Sequence, residues 1–169
     1  MNKIRLLFIV SFSILAQGAS GQCSDLFFSE YIEGSSNNKA LEIYNPTGAA
    51  IDLTDYAVYR NNNGATSPST TFLPQGVIAS KGVYIIGNAS GIAGITAVSD
   101  TLHSLTFYNG DDAVYLVKIS TGDTLDIIGE IGVDPGSNWT VGTGATGEFT
   151  LVRKTTVFNC SARKVKGGF

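Results

Sequence analysis

SEYIEGSSNNKALEIYNP, residues 29–46, is the stretch whose reading decides the fold. It has two apolar arms and a polar middle. The first arm begins just upstream, at Leu26-Phe27-Phe28, and runs to Tyr31-Ile32; the second is Ala40-Leu41-Glu42-Ile43-Tyr44. Aromatic and branched side chains suit a pleated, half-buried surface, so the arms predict two antiparallel strands. Gly34-Ser35-Ser36-Asn37-Asn38 between them is turn chemistry. Gly and Asn tolerate positive φ, and Ser and Asn side chains bond the nearby backbone. Along the second arm, Leu41 and Ile43 share one face while Glu42 and Tyr44 share the other. Asn45-Pro46 ends it, because proline has no N–H for the ladder.

Working outward, the same grammar repeats. Tyr56-Ala57-Val58-Tyr59 alternates as a short strand. Thr70-Thr71-Phe72-Leu73 is a strand closed by Pro74. Val83-Tyr84-Ile85-Ile86 has no strongly polar member and reads as central, buried on both sides. Ala113-Val114-Tyr115-Leu116-Val117 and Leu125-Asp126-Ile127-Ile128, joined through Thr121-Gly122-Asp123, read as a hairpin. Phe149-Thr150-Leu151-Val152 is the last clear strand, and Asp100 to Thr106 is ambiguous. After the first 21 residues no helical periodicity exceeds a single turn. Short strands separated by Gly- and Asn-rich turns describe an all-β sandwich or barrel, and periodicity does not choose between them.

The chain has 169 residues, one domain's worth. Lys3 and Arg5 precede the apolar run Leu6 to Ala16, and small residues Ala19-Ser20-Gly21 follow. That order describes a secretory signal peptide over residues 1–21. A membrane anchor is disfavoured, since the run is short and broken by Ser11 and Ser13. Gln22 stands where a lipobox has a small residue, which disfavours lipid anchoring at Cys23. The expected location is therefore outside the cell or at its surface. Loss of Lys3 and Arg5 takes the formal net charge from −3 to −5. An acidic domain repels phosphate backbones, so nucleic acid is an unfavourable partner for it. Arg153, Lys154, Arg163, Lys164 and Lys166 form a local basic cluster, read as a solvated tail.

Three segments carry a family resemblance. EYIEGSSNNKALEIYNPT at residues 30–47, Thr106-Phe107-Tyr108-Asn109-Gly110-Asp111-Asp112-Ala113-Val114-Tyr115-Leu116, and Phe149-Thr150-Leu151-Val152-Arg153-Lys154 resemble, in that order, the signatures of secreted bacterial lamin-tail domains. The resemblance implies an immunoglobulin-like β-sandwich. It divides the chain into the leader, a domain over residues 22–160, and a basic tail over residues 161–169. Members of that family carry a further extended segment after the strand matched by Phe149–Val152. The tail, which has no alternating pattern, is thus expected to leave the sandwich short of its final strand. Cys23 and Cys160 are an even pair in an exported chain and flank the first and last strands, so a Cys23–Cys160 disulfide is expected.

The chemistry-bearing residues are sparse. His103 is the single histidine and sits between apolar neighbours, without the partners of a triad or a zinc site. No serine has a nucleophile-elbow context, and no glycine-rich loop follows a strand to open a helix. No cofactor is called for. One set merits a metal reading: Glu33 with Asp111 and Asp112 offers the hard oxygens that Ca²⁺ takes. The spacing is not that of a known calcium loop. The weightier reading is that Asp111 and Asn109 shape a turn through side-chain to backbone bonds. Asn88-Ala89-Ser90 and Asn138-Trp139-Thr140 match the N-glycosylation pattern. Trp139 is expected over one end of the core.

These readings favour a non-catalytic binding, adhesion or anchoring module, of the kind the resemblance places beside secreted nucleases and other hydrolases. Its expected partner is a protein or a cell-envelope polysaccharide. Two alternatives stay open. The chain is the N-terminal part of a secreted nuclease or phosphatase whose catalytic domain lies elsewhere. Or it binds carbohydrate through Tyr31, Tyr44, Tyr59 and Tyr108.

Overall fold

The structure, a computed structural model, describes residues 24–154. The signal-peptide segment, both cysteines and the 161–169 tail lie outside the described residues. The two arms of the deciding stretch pair as strands β1 (Phe27–Glu33) and β2 (Lys39–Tyr44), antiparallel, with Tyr31 opposite Leu41 and Glu33 opposite Lys39. Their turn closes through Gly34 N–H to Asn38 O at 3.0 Å, and its left-handed residue is Ser36 (φ 61°).

The remaining strands in chain order are β3 (Ile51–Asp52), β4 (Tyr56–Asn61), β5 (Thr70–Phe72), β6 (Val77–Ile78), β7 (Val83–Gly87), β8 (Thr101–Leu102), β9 (Ala113–Lys118), β10 (Asp123–Ile128), β11 (Thr140–Val141), β12 (Gly144–Ala145) and β13 (Phe149–Val152). One sheet runs β13-β1-β2-β7-β8 and a second runs β10-β9-β4-β5; β3 with β6 and β11 with β12 make two small ribbons. A four-residue helix, α1 (Ala93–Thr96), lies between β7 and β8, and 3₁₀ turns occur at Leu53–Asp55 and Ser104–Thr106. Ambiguous residues 100–106 thus resolve into β8 and a 3₁₀ turn, too short to leave a period in the sequence.

The inner faces of the two main sheets build one core. Phe28, Tyr31, Leu41, Ile43, Ile86 and Leu151 come from the five-stranded sheet, and meet Val58, Val114, Leu116 and Ile128 of the four-stranded one. Full burial of such side chains stabilises by about 1.5–3 kcal/mol each. This is an immunoglobulin-like β-sandwich. The two main sheets are separate, which makes it a sandwich rather than a closed barrel.

Two readings change. β7 is internal to its sheet, but it is not buried on both sides: Val83 is 42% exposed and Ile85 is half-buried on the outer face. A run without polar residues marks burial only where something covers both faces, and here α1 covers part of one. Arg153 is not a solvated charge. Its guanidinium lies 2.5 Å from Asp126 Oδ2 and donates through Nε to Phe28 O at 2.7 Å. Asp126 Oδ2 also accepts from the Phe28 amide at 2.9 Å, beside the bulge that shifts the β1–β2 register between Phe28 and Glu30. A β10 carboxylate thereby ties the four-stranded sheet to the first strand of the other.

Candidate functional site

The residues singled out for metal chemistry converge at one end of the sandwich, but mostly as structure. Glu33 and Lys39 face each other at the mouth of the β1–β2 hairpin, with Lys39 Nζ 2.7 Å from Glu33 Oε1 and both side chains only 7% exposed. The same ammonium donates to Tyr108 O at 2.7 Å, and Glu33 Oε2 accepts from the Glu148 amide. Tyr108 is fully buried, stacks on Tyr31 at 4.6 Å, and donates to Ala40 O at 2.6 Å. The first two signature segments thus lock together through a cation, a carboxylate and a buried phenol.

The turn at Asn109–Asp112 is held by Asp112 rather than by Asp111. Asp112 Oδ2 accepts from the Asn109 amide at 3.0 Å and Oδ1 from the Asn63 amide at 3.1 Å. Gly110 is required there: a Cβ on it would stand 2.7 Å from the Gly147 backbone. Asp111 Oδ1 and the Tyr31 hydroxyl are buried without a hydrogen-bond partner in the protein. Burial raises the Asp111 pKa, its own backbone amide opposes this, and the charges of Asp112, Asp134 and Glu33 add to the rise. Lys39 is the cation paired with Glu33, and each Asp112 oxygen accepts from one backbone amide. Among the described residues no group of three or more His, Cys, Asp or Glu side chains is placed to hold a metal.

Other sequence-level candidates are also structural. His103 Nδ1 accepts from the Leu105 amide at 3.0 Å, and its ring lies 4.7 Å from that of Phe72. Burial, and then the nearby Arg60 charge, lower its pKa. Tyr31 and Tyr108 are fully buried and cannot stack on a sugar. That removes half of the aromatic platform expected for carbohydrate; their rings are spent on the core. Asn88 is likewise fully buried and cannot accept a glycan, whereas Asn138 is exposed. Trp139 is half-buried, its indole nitrogen 2.8 Å from where a Cβ on Gly129 would stand.

The face that is not accounted for by packing is the outer face of the five-stranded sheet. Register aligns Val152, Glu30, Glu42 and Ile85 in one row across β13, β1, β2 and β7. Ile32 and Ala40 lie opposite each other in the next row. Solvated faces of antiparallel sheets are ordinarily polar. Here Val83 is 42% exposed, and Val152 and Val98 are each 60% exposed. Beneath Gly94, Ile95 and Val98 a groove of about 120 Å³ is lined also by Glu30, Glu42, Ile32 and Ile85. Glu42 Oε1 accepts from Ser29 Oγ at 2.6 Å. No hydrogen bond or ion pair engages the Glu30 carboxylate among the described residues. Burial raises the Glu30 pKa, and the Glu42 charge raises it further. Glu33, singled out in the sequence for a metal reading, lies on the opposite face of β1 from Glu30.

Two facing sheets with a polar clasp at one end define an immunoglobulin-like domain. The family described as Lamin Tail Domain matches residues 19–132, and the chain belongs to it. It is a non-catalytic immunoglobulin-like domain family. The match ends before β13, which pairs with β1 at one edge of the five-stranded sheet. No curated protein matches the chain. Among the described residues no helix is long and apolar enough to cross a membrane.

Proposed function

We propose that this domain is a non-catalytic binding or anchoring module of an exported protein, and that it works through the outer face of its five-stranded sheet. The observation that carries this reading is the row Val152–Glu30–Glu42–Ile85, an apolar and acidic stripe where a merely solvated face would be polar. Export is supported by the residue order of the first 21 positions. A protein partner fits better than a polysaccharide, because two of the four tyrosines offered for sugar stacking lie in the core.

The test is retention of the purified chain on immobilised cell-envelope protein and, separately, on envelope polysaccharide. Val83→Ser with Val152→Ser should reduce retention on protein, while Thr71→Ala on the other sheet should not. Retention unaffected by the outer-face pair, or confined to polysaccharide, would overturn the reading.

A further inference from the structure

We propose that the groove beside Glu30 and Glu42 receives a lysine side chain of a partner polypeptide, its aliphatic stem against Ile32, Ile85 and Val98 and its ammonium between the two carboxylates. The proposal deepens the reading of the outer face as a binding surface and rests on it.

Size sets the class of occupant. At about 120 Å³ the groove is well below the roughly 300–1,000 Å³ of pockets that enclose small-molecule ligands. It suits one side chain. Its floor and walls are largely aliphatic, with the carboxylates entering from β1 and β2. An occupant that satisfies both parts needs an apolar stem ending in a cation, and long cationic side chains place their methylenes on apolar surface while keeping the charge in a polar setting.

Charge sets its sign. Glu30 and Glu42 stand directly opposite each other on adjacent strands. Like charges so placed destabilise a sheet, and no cation among the described residues offsets them, in contrast to Glu33, which has Lys39. Donor geometry favours lysine over arginine. Ser29 holds one Glu42 oxygen and so fixes that carboxylate beside Glu30. Carboxylates on two separate strands suit the diverging N–H donors of an ammonium; the planar arginine fork matches a single carboxylate better.

The test uses the full chain and a fluorescent peptide of alternating Lys and Val, followed by anisotropy and by amide chemical shifts. Binding should shift Ile32, Ile85 and Val98. Glu30→Gln with Glu42→Gln should weaken it by about tenfold or more, equivalent to ~1.4 kcal/mol. Val98→Lys, at an exposed position that leaves the core intact, should weaken it similarly by placing a competing ammonium at the groove. Peptides of alternating Lys and Gly, or Arg and Val, should bind less tightly. Equal binding by the Lys–Gly peptide means general charge attraction and overturns the proposal, as does tighter binding by the Arg–Val peptide or indifference to the double glutamine variant. Peptide binding that appears only after Arg163→Ser, Lys164→Ser and Lys166→Ser names the chain's own basic segment as occupant and overturns the partner assignment. So does self-association in sedimentation that the double glutamine variant abolishes. An uncharged Ser–Val peptide that binds the wild type and is lost on Val83→Ser with Val152→Ser leaves the binding face standing while the lysine proposal fails.

Discussion

The Lys39 ammonium sits 2.7 Å from Glu33 Oε1 inside a site where both side chains are 7% exposed, so the polar turn of the first hairpin ends in a buried ion pair. A buried charge deprived of its partner keeps its desolvation cost without compensation. Lys39→Met is therefore expected to destabilise the fold by about 3 kcal/mol. Lys39→Met with Glu33→Leu should cost less than the single change, because no charge is then stranded. Urea unfolding decides it: a single variant within the error of wild type contradicts the expectation.

Arg153→Met should act through Asp126. Burial raises the Asp126 pKa, while the Arg153 charge and the amides of Phe28 and Ile127 hold it down. A carboxyl raised in the folded state loses stability when it ionises, so its cost appears as pH rises through its folded pKa. Without Arg153 that cost grows. The variant's deficit relative to wild type should be about 3 kcal/mol at neutral pH and should shrink on acidification. A deficit that is constant or larger in acid would refute this account.

Glu30→Gln should stabilise. The Glu30 pKa is raised by burial and by Glu42, so ionised Glu30 lowers stability at neutral pH and protonation in mild acid restores it. Removing the charge should gain about 0.5 kcal/mol at neutral pH. The gain should vanish as the pH falls below the carboxylate range. Differential scanning calorimetry at both pH values measures it, and a lower melting temperature at neutral pH would reject it.

A disulfide between Cys23 and Cys160 remains a proposal of ours. β1 and β13 pair antiparallel with Glu30 opposite Val152, so the start of one and the end of the other share an end of the sheet. Cys23 precedes β1 by four residues and Cys160 follows β13 by eight, spans of up to roughly 14 and 29 Å when extended. Mass spectrometry of the exported protein without reduction should find the linked peptides; two alkylatable thiols would exclude the bond.

Much of this was legible in residue order. Leu41 and Ile43 against Glu42 and Tyr44 gave the β2 faces correctly, since side chains alternate with period two whatever the strand packs against. The hairpin of β9 and β10 and the final strand were legible for the same reason, and the signature segments named the family. Partners far apart in sequence were not legible. Nothing local says that Asp126 accepts from Phe28 or that Arg153 reaches across to Asp126. Nor does composition tell that Tyr31 and Tyr108 stack in the core while Val83 and Val152 face outward. The sequence by itself determined the longer strands, the turn of the first hairpin and the family, because those follow from local periodicity and residue type. Only tertiary structure decided which carboxylates are paired and which stand unmet: strand register places Glu33 against Lys39 and Glu30 against Glu42, and a shift of one residue would have exchanged the two faces.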